Sequence, residues 1–408
     1  MPYLLPYPSI TLARPPGRAR YAVSASIKAR ERWRRNERTW PSAFFVRFSC
    51  LQRSFRRVTA YSAILLAPIL LAGCSSYYGQ LATGQLELLR QRQPVAALVD
   101  DPGTAPALRE RLANAQEARR FASERLALPD NGSYRQYADL GRPYVVWNLF
   151  ATPEFSVEPL TRCFPIAGCV AYQGYYRQGA ARGQAAVLRR QGFDTHVAGV
   201  EAYSTLGWFD DPLLNTMLRR NDEQLAGLIF HELAHQRLYV RDDTTFNESY
   251  ASFVERQGLR EWRRQQGLPE HGQPAREAYR EVVELLLDSR ERLRALYAQP
   301  HDEAVMRRLK QAEFDRLRTA YRLLRERPGQ PPLPGFERWF QQPLNNATLL
   351  PFGLYDRWVA AFSRLFEQSQ GDWQEFHQRV ESLAAMPLEQ RNGRLQELLD
   401  SDLQGEIP

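Results

Sequence analysis

The sequence predicts an α+β chain: a small mixed sheet followed by helices. Two observations carry this. Residues 143–210 hold short stretches rich in Val, Tyr, Phe and Thr, whereas nearly everything from Asn221 onward has a three-to-four apolar spacing. Sheet first and helices after, without strict alternation, is an α+β order.

Taken in order, residues 1–50 mix Pro, Arg and Trp without a sustained period. Arg53, Arg56 and Arg57 then precede the apolar run Val58–Leu70 and the ending Leu71-Ala72-Gly73-Cys74. A basic start, an apolar core and small residues before a cleavage point make a secretory signal. The run is short for a bilayer span and contains Pro68. Residues 53–73 are therefore expected to be a signal peptide, and residues 1–52 a non-structural extension such as an early start codon would add. The ending resembles the bacterial lipobox, which implies a lipid on Cys74 and a membrane anchored through it. Ser75 after that cysteine resembles lipoproteins sent to the outer membrane, facing the periplasm.

This assignment reinterprets the charge. The 408 residues carry a formal +8, but residues 1–73 hold 13 basic side chains against two acids. The remainder is near −3, which excludes a polyanion-binding surface built from net charge, and no nucleic-acid partner is expected. Cys163 and Cys169 remain in TRCFPIAGCVAY, with Pro165 and Gly168 able to turn between them. A disulfide is the simplest reading in an oxidising periplasm; half a zinc site or two buried thiols are the alternatives.

Residues 74–130 read as a helical N-terminal region closed by the Asp130-Asn131-Gly132-Ser133 turn. Strands are expected in PYVVWNLFA, FSVEPLTRCF, CVAYQGYY, FDTHVAGV and VEAYSTLGWF, with a helix over 179–190. Residues 131–265 make the core, and 266–408 a helical C-terminal region. In the latter, residues 275–327 form a charged helical hairpin broken near Pro300.

The chemistry lies in NDEQLAGLIFHELAHQRLYV. His231 and His235 are four apart and share a helical face, so both imidazoles can meet one ion. Glu232, offset by one residue, can act as general base on a water, which is the zincin arrangement. Catalytic zinc commonly takes two His and a Glu. Glu248, in the first turn of the next helix, is the favoured third ligand; Glu255, two turns along the same face, is its rival. Asn247 is a candidate to orient a carboxylate or backbone group behind the ligands. His196, His271, His301 and His377 read as surface or satisfied core residues.

HELAHQ followed by NESYASFVE resembles the leucyl/alanyl aminopeptidase-type gluzincins, in which the Glu after Asn is the zinc ligand. That implies a zincin-like core, one Zn2+ per chain held by His231, His235 and Glu248, and a peptide substrate. The interval of 12 residues between His235 and Glu248 is shorter than that family's, and its Gly-Ala-Met-Glu-Asn motif is missing. A bacterial family of predicted aminopeptidase lipoproteins is more similar: CFPxAGCxAYxGYY, AYSTLGWFxDPLL and HELAHQxLYVxxDTxFNES all resemble it. The likeness covers most of 74–260 and the Asn345–Tyr355 region. In gluzincins an edge strand upstream of the metal helix pairs with the peptide, a role the resemblance gives to 199–209, with an ordinary core strand as the alternative. It also calls for an acid holding the substrate amine, for which Glu201 is the nearest, and an oxyanion donor, for which Tyr355 is the candidate. A zinc endopeptidase, and a non-catalytic zinc-containing envelope scaffold or assembly factor, stay open beside the aminopeptidase. Oligomeric state is not legible.

Overall fold

The computed structural model describes residues 77–164, 168–202, 204–205, 209–268, 273–352 and 357–400. Those from Glu87 onward belong to one compact unit, and residues 77–86 to another. Helix α1 spans residues 77–90.

The element that organises the site is α5, Asp222–Arg237. Asn221 caps it: its side chain accepts from the Gln224 backbone, and the Gln224 side chain returns the bond to the Asn221 backbone. Ten consecutive or near-consecutive residues, Leu225 to His235, are then buried. A helix buried on all sides is a central one, which is why this stretch is uncharged apart from its chemistry. Helix α6, Thr244–Gln265, returns beside it after a short loop, capped by Asp243, whose carboxylate accepts from Phe246 N at 3.1 Å. Helix α3, Pro106–Arg125, covers a further side through Phe121, whose ring centroid lies 5.7 Å from Phe230 and 5.1 Å from Trp262. Helix α2 is the short Val95–Asp100.

The principal sheet has the order β6-β3-β7, from Tyr172–Tyr175, Val146–Pro153 and Phe193–Val200, antiparallel throughout. Helix α4, Gln178–Arg190, connects β6 to β7. The strand bounds of β7 and the helix at 178–190 agree closely with the sequence reading. The segment 201–209 does not: β7 ends at Val200, and the described residues beyond it are not strand. Ser204 and Thr205 instead fold back onto Asp211, where Thr205 Oγ1 donates to Oδ1 at 2.7 Å. Local side-chain bonds of this kind compete with strand pairing. A second sheet, β1-β2-β8, joins Gln93–Pro94, Gln136–Ala138 and Leu213–Leu214. The hairpin of β4 (Arg162–Phe164) and β5 (Gly168–Val170) carries the Cys163–Cys169 disulfide.

Helices α7 (Gln273–Tyr297) and α8 (Glu303–Arg325) form the expected hairpin, and with α9 (Pro334–Phe340) they enclose a core around Val282, Phe314, Phe336 and Trp339. After the single turn α10 (Asn346–Leu349) come α11 (Val359–Gln368), α12 (Trp373–Ala384) and α13 (Leu388–Asp400). These last three do not respect a boundary at residue 266. Phe362 stacks edge-on to Phe246 and Tyr250, and Phe376 lies 4.9 Å from Phe253, so α11 and α12 cover the back of α6. Apolar aromatics on two faces of α6 made that packing favourable, and sequence distance concealed it.

Candidate metal centre

Helices α5 and α6 run antiparallel, which sets the pairing of their side chains. His235 meets Glu248, His231 meets Glu255, and Gly227 lies under Leu259 and the Glu255 side chain. His231 Nε2 and His235 Nε2 are 3.2 Å apart, and Glu248 Oε2 is 3.4 Å from the first and 3.5 Å from the second. All three residues are buried. Three ligand atoms bound at zinc distances around a tetrahedral ion stand about 3.3–3.4 Å from one another. The observed triangle fits that spacing.

The donor chemistry points the same way. Glu248 Oε2 accepts no hydrogen bond among the described residues, yet it is buried and faces two ring nitrogens. Three electron-pair donors converging in a dry site call for a cation. Burial opposes charge on His231, but the Glu248 and Glu255 carboxylates facing its two ring nitrogens hold its imidazolium well above the usual histidine range. Burial likewise opposes the Glu248 carboxylate, and His235 with His231 holds it below the usual carboxylate range.

The family model with the description "Putative aminopeptidase" matches residues 76–395. The chain belongs to that family. No curated protein and no solved structure matches it.

Within this family member, Glu232 is 1% exposed and projects from the same helix as the two histidines, offset from their face. On the side it faces, Gln236, one turn further along, donates to Asp211 Oδ2 and Ser133 Oγ, both at 3.2 Å. Burial pushes the Asp211 carboxyl up to about 7, against donors from Thr205 and Ser204 and with the Glu232 charge adding to the rise.

The structure separates the two acids that the sequence offered as third ligand. Glu248 stands in the triangle, whereas Glu255 Oε2 lies 3.1 Å from His231 Nδ1, the nitrogen that faces away from it. A carboxylate there fixes the ring so that Nε2 is turned towards His235 and Glu248. Sequence reasoning missed this role; the signal was the seven-residue spacing itself, which put both acids on one face. Asn247 holds backbone, not carboxylate: it accepts from Val240 N and donates to Val240 O, both at 2.7 Å. Glu201 is buried with its Oε2 on Arg220 Nε at 3.0 Å. A carboxylate already neutralised inside the protein has little attraction left for a substrate ammonium, so it is not carried forward as the amine anchor. His377 is a satisfied core residue, bonded to the Tyr250 hydroxyl and the Leu126 carbonyl. Cys74 and Tyr355 lie outside the described residues.

Proposed function

We propose that this protein is a zinc-dependent aminopeptidase of the bacterial cell envelope, with a zincin-type core. The observation that carries the reading is the buried triangle of His231, His235 and Glu248 with Glu232 beside it on one helix. His231 and His235 would hold the ion through Nε2 and Glu248 through Oε2. When bound, zinc supplies Lewis acidity, polarising a carbonyl and making a water acidic at neutral pH.

The chain's own residues account for the remaining steps. Glu232 takes the proton of the attacking water and delivers it to the departing amine nitrogen, so it ends the cycle as it began, ionised. Burial of Glu232 excludes bulk water that would otherwise exchange that proton. Glu255 keeps His231 oriented, and Asn247 keeps the loop between the two ligand helices in place. A free N-terminus on the substrate is inferred from the family alone.

The envelope location is supported by the signal-like segment ending at Cys74 and by the Cys163–Cys169 disulfide, a bond suited to an oxidising compartment. Among the described residues no helix is long and apolar enough to cross a membrane.

Protein produced from Ser75 onward tests the reading. It should contain about one zinc per chain and shorten peptides one residue at a time from the N-terminus, with loss on chelation. Glu232→Gln should keep its zinc and lose hydrolysis. Internal cuts would make it an endopeptidase. A fourth protein ligand seen by X-ray absorption would make the zinc structural and the protein an envelope scaffold.

A further inference from the structure

Tyr134 is 1% exposed, and its hydroxyl has no hydrogen-bond partner among the described residues. A buried O–H without a partner is costly and rare enough to need a reason. Its backbone adds to the cost: φ is 63°, in the left-handed region that residues with a Cβ avoid.

The surrounding structure nevertheless over-determines this conformation. Gln116 Nε2 donates to Tyr134 O at 2.6 Å, Tyr134 N donates to Asp211 O at 2.6 Å, and Arg119 Nε donates to Ser133 O at 2.8 Å. The same turn is fastened to the metal helix. Asn131 Nδ2 donates to Gln236 Oε1 at 2.7 Å, and Gln236 Nε2 donates to Ser133 Oγ at 3.2 Å. Gln236 follows His235 directly and sits one helical turn beyond Glu232, so residues 131–134 are seated against the face from which Glu232 projects. Strain held in place by many contacts, beside a reactive group, marks a functional position. Burial, together with the nearby Glu232 and Asp211 charges, raises the phenol well above its ordinary value, which keeps it a donor.

We propose that Tyr134 is a further catalytic residue of the site, its hydroxyl donating a hydrogen bond to the carbonyl oxygen of the scissile peptide bond as that oxygen gains negative charge. The proton stays on the phenol oxygen throughout, so no bond to Tyr134 forms or breaks. A donor fixed in a dry site costs nothing to reorganise when charge develops, and one such donor is worth about 100-fold in rate. The assignment rests on the peptidase reading above.

Tyr134→Phe in the full zinc-loaded protein tests it, beside wild type and Glu232→Gln. The expected result is kcat lowered about 100-fold, with KM and zinc content unchanged. Affinity for a phosphinic peptide, whose tetrahedral oxygen mimics the charged one, should fall by a similar factor. The thermal midpoint should stay level or rise, because the substitution removes an unpartnered buried group and keeps the ring. An active wild type with an equally active Tyr134→Phe variant overturns the Tyr134 role and leaves the peptidase reading standing. A lowered midpoint with normal kcat per folded molecule also overturns it, as a structural role. Zinc-loaded wild type that cleaves no peptide removes the peptidase reading, and Tyr134's role with it.

Discussion

Replacing Glu255 by Gln separates the metal centre from its support. Glu255 Oε2 lies 3.1 Å from His231 Nδ1, and the substitution keeps the side chain's size and an oxygen able to accept while removing its charge. Two effects follow. The ring loses a charged partner that fixes its orientation and raises the basicity of Nε2, a loss that typically costs about 10- to 100-fold in metal affinity. That is about 1.4–2.8 kcal/mol of binding free energy. The second effect has the opposite sign. Glu255 also helps hold the His231 imidazolium above its ordinary pKa, so in wild type an incoming ion must displace a proton at neutral pH. Removing the carboxylate lowers that proton affinity and eases the competition. Zinc affinity in wild type should therefore keep climbing as pH rises above neutrality, and the climb in Glu255→Gln should end at a lower pH. The deficit of the variant is largest at high pH, where proton competition is weakest, and shrinks towards pH 6.5. Competition against a chelating dye from pH 6.5 to 9.5 reads both features. A high-pH affinity within twofold of wild type would refute an orienting role for Glu255, and a deficit that grows on acidification would refute the proton competition.

Three further substitutions address the supports. Arg391 places Nε and Nη2 on Asp243 Oδ2 at 2.9 and 2.6 Å, both groups buried, while the same carboxylate caps α6. Arg391→Met should cost about 3–5 kcal/mol in urea unfolding by stranding a buried charge, and a loss under 1 kcal/mol would show that Asp243 is not dependent on it. Asn247→Ala leaves the Val240 N–H and C=O without their side-chain partner, a destabilisation of about 1–3 kcal/mol; zinc affinity should fall with it because the loop leads into Glu248, and unchanged affinity counts against that coupling. Burial holds His377 down at about 4, with its bond to the Leu126 carbonyl working against the shift and Arg237 adding to it. Its folded pKa is depressed, so the unfolded chain binds the extra proton, and stability present above about pH 6.5 is lost as pH falls towards 4, by up to roughly 3 kcal/mol. His377→Gln should flatten that slope in unfolding midpoints taken from pH 7 to 4, and an unaltered slope removes His377 from the acid response.

How far the sequence could be read depended on whether a feature is local. The metal helix was legible because its apolar residues, its Asn221 cap and its two histidines all follow one period within a single element. The disulfide and α4 were legible for the same reason, since each closes within a dozen residues or so. The segment after Val200 was misread because its Tyr, Thr, Trp and Phe content suits a strand, while the partners that decide its path are Asp211 and, through it, Gln236 on α5. Strands of two residues, such as β1 and β8, are shorter than any pattern that alternation can reveal. Tyr134 was invisible for a deeper reason: nothing in Asn131-Gly132-Ser133-Tyr134 distinguishes an ordinary surface turn from one pressed against a buried helix.

The choice between Glu248 and Glu255 shows where periodicity stops and register begins. Both acids lie on one face of α6, so the helical period admits either as a ligand. At about 1.5 Å per residue, His231 and His235 are about 6 Å apart along α5, while Glu248 and Glu255 are about 10.5 Å apart along α6. The two intervals differ, so in an antiparallel pair the acids cannot each sit in the same relation to a histidine. The short loop ending at Asp243 fixes which one is level with the pair. It starts α6 opposite the end of α5, which brings Glu248 to Nε2 of both rings and carries Glu255 past them to the far nitrogen of His231. Gly227 lets that overshoot occur: a Cβ there would stand 2.8 Å from Leu259 Cδ1 and 3.3 Å from the Glu255 side chain. A longer loop that slid α6 by one turn would leave neither acid in place, because the two lie two turns apart. The short interval between His235 and Glu248 is therefore part of the site's construction, with Asp243, Arg391 and Asn247 as the residues that enforce it.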